Sequence, residues 1–411
     1  MTQTGDVERV LAEVFRQDWG RVVAALIART GDIELAEDSA QEAFTAALPA
    51  WRRDGVPRAP LAWLITTARN RALDRLRRDQ VGAAKLRQLA TESTVDDYAV
   101  VDDAIPDERL RLLFTCCHPA LAFESQVALA LRTLCGLSTA EIARAFLVPE
   151  ATMAKRLVRT KQKIAVAGIP YRVPPAHRLP ERTTAVLGVL YLLFHEGYVA
   201  TAGPDLGRRE LAARAIDLAG LLVTLMPDHP EARGLLALLL LIDARASARV
   251  DGHGHLVPLE EQDRTRWHAD TITRGLSQLE QALRRGQPGP YQLQALIAAC
   301  HATAPTPEAT DWARIVSLYD QLLELVPSTT VRLNRAIAIA MRDGPRAGLE
   351  ELAGLPDHPL LEAARADLLR RLGQAAEAAD AYRLALERTD NDGERGYLRR
   401  RLAEVTTTLG T

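Results

Sequence analysis

Apolar residues recur at intervals of three and four along almost the whole of this 411-residue chain, and alternating β-branched runs are nearly absent. That period matches one face of an α-helix, whereas a half-buried strand has a period of two. Ala, Leu, Arg and Glu dominate, and all are good helix formers. The pattern predicts an all-α protein. The chain is long enough for two to four domains at roughly 100–200 residues each. The helical pattern breaks at Arg53 to Pro60, which contains Gly55, Pro57 and Pro60. It breaks again at residues 89–108, which hold seven acids and no base, and at Gly168 to Pro180, which holds four prolines. Such stretches punctuate domains. They predict folded blocks at 1–88, 107–168 and 181–411, joined by an acidic linker at 89–106 and a Pro-rich linker at 169–180.

With 47% hydrophobic and 25% charged residues, the chain is an ordinary globular composition and excludes collagenous or wholly disordered classes. The longest apolar runs, Ala185 to Phe194 and Gly234 to Ile242, fall well short of the roughly 18 residues that span a bilayer. Asp6 and Glu8 stand where a secretory signal has a basic start, and four cysteines make no disulfide framework. A cytoplasmic protein with no membrane partner is expected. The net charge of −2 conceals a split: residues 1–172 carry 24 basic and 22 acidic side chains, and the remainder 27 and 31. Arg69 to Gln88 and Arg132 to Arg172 are strongly basic, and all four lysines, Lys85, Lys155, Lys161 and Lys163, lie in the front part. Local basicity of this kind suits phosphate contacts, although solvated helix faces show it as well.

The second block holds the clearest local signature. Ser138 followed three residues later by Glu141 is a capping box that opens a short helix through Phe146, and Pro149 suits the start of the next helix. This is helix-turn-helix spacing. On the second helix Met153 and Leu157 share one face at i, i+4, basic residues occupy the rest, and Ala143 is small enough for the helices to cross closely. A recognition helix of this type places its N-terminal residues near base edges in the major groove. Glu150, Thr152, Lys155 and Arg156 are therefore candidate base readers, and Arg159 and Lys163 candidate phosphate contacts. A purely structural helical hairpin is the competing reading.

In the first block, GDIELAEDSAQEAFTAALPAW runs from Gly31 to Trp51 and PLAWLITTARNRALDRLRRDQ from Pro60 to Gln80. These resemble the second conserved region of the sigma-70 family, in its extracytoplasmic-function (ECF) group. The matching positions are Asp38, Gln41, Glu42 and Phe44, then Trp63, Leu64, Ala68, Arg69, Asn70, Asp74, Arg77 and Arg78. The helix-turn-helix from Leu137 to Ile164 is similar to the family's fourth region. Asp38, Gln41 and Glu42, at i, i+3, i+4, form a polar helix face suited to docking on another helix. The resemblance implies that this face, with Phe44, meets the clamp helices of the largest polymerase subunit. It also implies that the loop bearing Arg52, Arg53 and Arg58, with Trp63, Arg69, Asn70, Arg77 and Arg78, engages the minus-ten promoter element, and that the residues of the second helix-turn-helix helix engage the minus-thirty-five element. Unstacked bases are held by aromatic platforms and basic tracks, which these residue types supply. Trp63 also shares an apolar stripe with Leu61, Leu64 and Ile65, so a core position competes with a base contact. The acidic strip has too few apolar residues to fold alone and is expected to be a tether; the resemblance would thread it toward the polymerase active cleft.

The third block resembles the ECF subgroup that carries a helical C-terminal extension of tetratricopeptide type. The matching stretches include VLYLLFHEGYVAT from Val189, GPYQLQALIAACHA from Gly289, RLNRAIA from Arg332 and RADLLRRLGQAAEAADAYRLAL from Arg365. His195 departs from the Asn expected before Glu-Gly-Tyr. Leu-x-Pro recurs at Pro227 and Pro327, spaced like helix ends in degenerate repeats, and Ala375, Ala379, Tyr382 and Ala385 show the small and large alternation of stacked helices. The expected fold is thus a region 2 helical bundle, a helix-turn-helix region 4 domain and a TPR-like helical solenoid over 181–411.

No catalytic residues are assigned. Cys116, Cys117, His118 and Cys135, and the Asp251-to-His255 DGHGH, lack the spacing of a metal site, and His195-Glu196 lacks a nucleophile. No metal or cofactor is expected. The leading reading is an initiation factor that binds core RNA polymerase and promoter DNA, with its activity modulated by its own tail and an unidentified protein or peptide partner of that tail. The alternative is a stand-alone helix-turn-helix regulator with a ligand- or peptide-sensing tail, and a helical enzyme with a pocket in 181–411 is a third. The Asp38-to-Phe44 face argues for the first.

Overall fold

The computed structural model describes residues 3–78, 108–146, 148–198, 202–203, 209–251, 255–286 and 288–409. The acidic linker at 89–106 and the Arg78 side chain lie outside what it describes. The regular elements among the described residues are helices, apart from a two-residue parallel pairing of Ala202–Gly203 with Asp390–Asn391 and an isolated bridge between Val250 and Leu256. The chain divides into two compact units, Met1–Val189 and Leu190–Thr411.

In the first unit α1 (Gln3–Thr30), α2 (Ile33–Asp54) and α3 (Pro60–Arg78) pack on one another. Asp32 caps α2, its side chain accepting from the amides of Glu34 and Leu35, and Gly55 closes the helix at a positive φ of 84°. An alanine stripe at Ala36, Ala40, Ala43 and Ala47 is fully buried. Its spacing of four, three and four keeps it on one side of α2, where the small side chains let Val22, Val23, Leu26 and Ile27 of α1 approach.

Four further helices follow: α4 (Arg109–Cys116), α5 (Phe123–Thr133), α6 (Thr139–Ala145) and α7 (Glu150–Val166). The capping box is present in both directions, with Glu141 N donating to Ser138 Oγ at 3.2 Å and Ser138 N donating to Glu141 Oε2 at 2.7 Å. Pro149 takes the capping position just before α7. Met153 and Leu157 are buried with Ile142 and Ala143, so α6 and α7 cross through the small and apolar positions the sequence marks.

The Pro-rich stretch is tied into this first unit. Ile169 is buried, Tyr171 OH donates to the carbonyls of Ala24 and Glu108 at 3.0 and 3.1 Å, and Arg182 Nη2 donates to Phe114 O at 2.6 Å. The division between units accordingly falls later than residue 180, inside α8 (Leu179–Tyr198). An apolar anchor and a phenol with two carbonyl partners outweigh the proline count.

The second unit contains α9 (Arg209–Leu225), α10 (Pro230–Asp243), α11 (Ala269–Leu283), α12 (Pro290–Thr303), α13 (Trp312–Leu325), α14 (Thr329–Asp343), α15 (Pro345–Leu352), α16 (Leu361–Arg371), α17 (Ala375–Glu387) and α18 (Asp392–Leu409). Each packs chiefly on its neighbours in sequence or the next but one, and several separate apolar clusters follow one another along the chain. That is the contact pattern of a helical solenoid. α9 and α13 end just before Pro227 and Pro327, and Ala379, Tyr382 and Ala385 are buried in the last cluster.

Candidate nucleic-acid and docking interfaces

The recognition-helix face is built by period. Because Met153, Leu157, Thr160 and Ile164 fill the buried side of α7, the remaining positions point outward. Thr152, Lys155, Arg156, Arg159 and Lys163 line one shallow concavity of about 390 Å³, closed on the other side by Leu121, Ala122 and Ser125 ahead of and within α5. Glu150 is exposed at the helix start. Among the described residues Lys155, Arg156, Arg159 and Lys163 have no ion-pair partner, so their charge is available to an anion. Arg156 alone is held, with its guanidinium 5.7 Å from the Phe146 ring centre. Five of the six side chains of α7 expected to touch DNA thus line one concavity, and Glu150 does not.

The α2 face is also a single surface. Asp38, Gln41, Glu42 and Thr45 line a depression of about 610 Å³ together with Arg71 and Arg75 from α3. Arg75 binds both acids, Nη1 to Asp38 Oδ2 and Nη2 to Glu42 Oε1, each at 2.6 Å. Those two hydrogen-bonded carboxylates raise the Arg75 pKa above its usual value. Arg75 was missed in the sequence, although a signal existed: Arg71 and Arg75 repeat at i, i+4 as Asp38 and Glu42 do. Phe44, expected on this face, is only 6% exposed and packs edge-on against Phe15 at 5.0 Å and at a tilt against Trp19 at 5.8 Å. It lies on the α1 side of α2, three residues from Gln41, and so belongs to the core that supports the face.

The residues expected at the minus-ten element fall into two groups. Arg52, Arg53 and Arg58 are exposed around the α2 to α3 turn. Arg52 pairs with Glu8 and Arg53 with the adjacent Asp54. Asn70 and Arg77 are exposed on α3, where Arg77 lies 3.6 Å from Asp74. Arg69 is partly buried, and its Nε has no hydrogen-bond partner. Trp63 is half-buried, its ring 5.8 Å from that of the buried Trp51 in an edge-on arrangement. One side of the ring is therefore core and the other remains at the surface.

A further contact was not foreseen. Glu37, next to Asp38, is 2% exposed, and its Oε2 accepts from Lys161 Nζ at 2.9 Å and from Arg132 Nε at 3.3 Å. Trp19 Nε1 donates to Arg132 O at 3.1 Å nearby. The three-helix bundle and the helix-turn-helix therefore meet around a buried acid. Nothing local distinguishes Glu37 from a surface glutamate, since its partners are 95 and 124 residues away.

Cys116 and Cys117 are fully buried and their thiols pushed upward, Cys117 to about 12, because burial disfavours thiolate. Cys116 Sγ lies 3.3 Å from Thr133 Oγ1. Asp251 accepts from His255 N at 2.9 Å. Burial lowers the pKa of His195.

Residues 14–81 match the family model for Sigma-70 region 2, residues 111–164 that for Sigma-70 region 4, and residues 182–283 that of a family of unknown function, DUF6596. The chain is similar to an uncharacterized protein of Rhizobium meliloti, 42% identical over 414 residues, covering 98% of this chain and 96% of that one. It is also similar to the ECF RNA polymerase sigma factor SigK of Mycobacterium ulcerans, 32% identical over 142 residues, which cover 33% of this chain and 73% of the relative. The SigK protein of Mycobacterium tuberculosis is 30% identical over 159 residues, covering 37% of this chain and 82% of the relative. No solved structure matches the chain significantly.

Proposed function

Because the chain belongs to the sigma-70 family, in its ECF group, we propose that it directs core RNA polymerase to specific promoters through the α2 face and the α7 face, and that its helical tail modulates this activity. Sigma-70 regions imply binding to core polymerase and promoter DNA, and the family acts as a non-enzymatic initiation factor. The observation that carries the finer reading is the unpaired basic surface of α7 in the same chain as the mixed-charge depression on α2 and α3. A regulator that binds duplex DNA by itself needs the first surface and has no use for the second.

In this reading Asp38, Gln41 and Glu42 contact the polymerase, with Arg75 holding the two acids in place. Thr152, Lys155 and Arg156 approach base edges of the minus-thirty-five element while Arg159 and Lys163 bind phosphates. Arg52, Arg53, Arg58, Arg69, Asn70, Arg77, Arg78 and the exposed edge of Trp63 engage the minus-ten element, where melted bases need stacking and charge. The tail exceeds what promoter binding requires, which supports a modulating role exercised through a protein or peptide partner.

The test is a competition titration of the full-length protein against a known sigma factor for purified core RNA polymerase. Specific displacement supports the reading. Failure to compete, by a protein that is folded and binds duplex promoter DNA alone, would replace it with the stand-alone regulator.

A further inference from the structure

Several helices of the second unit line one cavity. α13, α14 and α16, with His301 of α12 and Tyr397 of α18, line a cavity of about 850 Å³ whose apolar wall includes Ile337, Met341 and Leu368. One edge is formed by the chain itself. Pro258, Leu259 and Glu260 line that edge, and the single 3-10 turn they form with Glu261 is held by two arginines from distant helices, Arg371 in the cavity lining and Arg401 beside it. Arg371 of α16 donates from Nη2 to Glu260 Oε1 at 2.6 Å, and Arg401 of α18 donates from Nη2 to Glu261 Oε1. Both guanidiniums are braced from behind, Arg371 by Asp367 at 2.8 Å and Arg401 by Glu404 at 2.9 Å. The two arginines are therefore set, before any partner arrives, to receive carboxylates from two consecutive residues.

From this arrangement we infer that this cavity of the tail is a docking site for an acidic peptide segment of a partner protein, and that Pro258–Glu261 is an internal competitor for it. Charge complementarity selects the occupant. Arg371 and Arg401 read the spacing of adjacent carboxylates on a peptide backbone, a feature that a lipid or an isolated anion lacks. Polar groups beside the strap match a peptide as well. Asn334, whose carboxamide offers a donor and an acceptor, has no hydrogen-bond partner among the described residues and lines the cavity. Thr310 lines it too; the residue is 6% exposed, and its Oγ1 has no partner. A buried hydroxyl without a partner is costly, and a ligand that supplies one relieves the cost. The Ile337 and Met341 wall accepts an aliphatic side chain such as the leucine that precedes the two glutamates in the strap. The proposal deepens the modulating role given to the tail above, by naming the chemistry of its partner.

The test needs no polymerase, so its failure is separable from failure of the promoter-directing reading. The probe is a fluorescent peptide with blocked ends that copies this chain's Val257 to Asp263, and the readout is fluorescence polarisation with the full-length protein. A doubly substituted Glu260→Gln, Glu261→Gln protein keeps the strap's shape and loses its charge. It is expected to bind the peptide at least about tenfold more tightly than the unsubstituted chain. The same protein should not bind a peptide in which both glutamates are glutamine, and adding Arg371→Ala should abolish binding of the acidic peptide. Equal binding of the two peptides overturns the proposal, because the arginines would then not be reading carboxylates. So does the absence of any binding by the doubly substituted protein with its thermal unfolding unchanged.

Discussion

Lys161 Nζ lies 2.9 Å from Glu37 Oε2, joining the outer part of the recognition helix to the helix that carries the docking face. The acid is almost fully buried, whereas Lys161 and Arg132 each keep close to a fifth of their side-chain surface in contact with water. Losing Lys161 leaves the buried carboxylate with the longer Arg132 contact alone and no water to make up the difference, whereas the partly exposed cations can rehydrate if the acid is lost. Lys161→Met should destabilise the first unit by about 2–3 kcal/mol, and Glu37→Gln by less. Urea denaturation reports the order. A Lys161→Met cost no larger than that of Lys155→Met, which removes an exposed lysine, would show that the bridge contributes nothing.

Among the described residues Arg156 has no ion pair and is oriented by leaning on Phe146. Arg156→Ala should weaken binding to the upstream promoter element by about 1–3 kcal/mol and relax preference at one base position, with core polymerase binding unchanged. Arg159→Ala should weaken all sequences alike and reduce the salt dependence by roughly one unit of slope. Titrations at several salt concentrations separate the two, and a matching loss of polymerase binding would indicate misfolding instead.

The α2 depression offers a charge test. Asp38→Arg faces Arg75 at a site where the acid is about half exposed, so the stability cost should stay under about 1 kcal/mol. Core polymerase affinity should fall at least about tenfold, as like charges replace a complementary pair. Competition binding with full-length protein checks this, and unchanged affinity would move the docking face elsewhere.

Gly136 sits at φ 72°, and a Cβ there would lie 2.9 Å from the Trp19 ring. Gly136→Ala therefore combines a left-handed backbone with an overpacked contact between the helix-turn-helix and α1. It should cost about 2 kcal/mol or more and disturb the Trp19 to Arg132 hydrogen bond. A shift in tryptophan fluorescence together with a lower unfolding midpoint is the expected signature. Wild-type stability in this variant would mean that the two domains do not meet there in solution.

His301 gives the tail a pH dependence. Burial, followed by the nearby Arg245 and Arg264, lowers its pKa to about 4 from an ordinary value near 6.5. Between those values the unfolded chain binds a proton that the folded chain refuses, so stability is full above about pH 6.5 and declines as pH falls toward 4. His195 and His229, also lowered by burial, act in the same direction. His301→Gln should flatten the thermal unfolding midpoint over this range. An unchanged slope would assign the effect to other groups, His118, His195 and His229 among them.

Helical class, helix-turn-helix, caps and helix ends were legible because each is written within a few residues. Period, a Ser-x-x-Glu box and a Leu-x-Pro stop act on the local backbone, and a chain cannot present them without local consequences. The outward set on α7 was legible for the same reason, once Met153 and Leu157 identify the inner side. Phe44 shows where such reasoning stops, since a helix carrying both a polar face and an aromatic gives no indication of which neighbour will cover the ring. Phe15 and Trp19 decide it. Glu37 with Lys161, and Glu260 and Glu261 with Arg371 and Arg401, are pairings across about 110 to 140 residues in which each member alone looks like one more surface charge. Charges carry no periodic mark of their partners. Only the packing of the helices, driven by the apolar stripes, brings them within hydrogen-bond distance, and at Glu37 it also excludes the water that would otherwise make the pairing trivial.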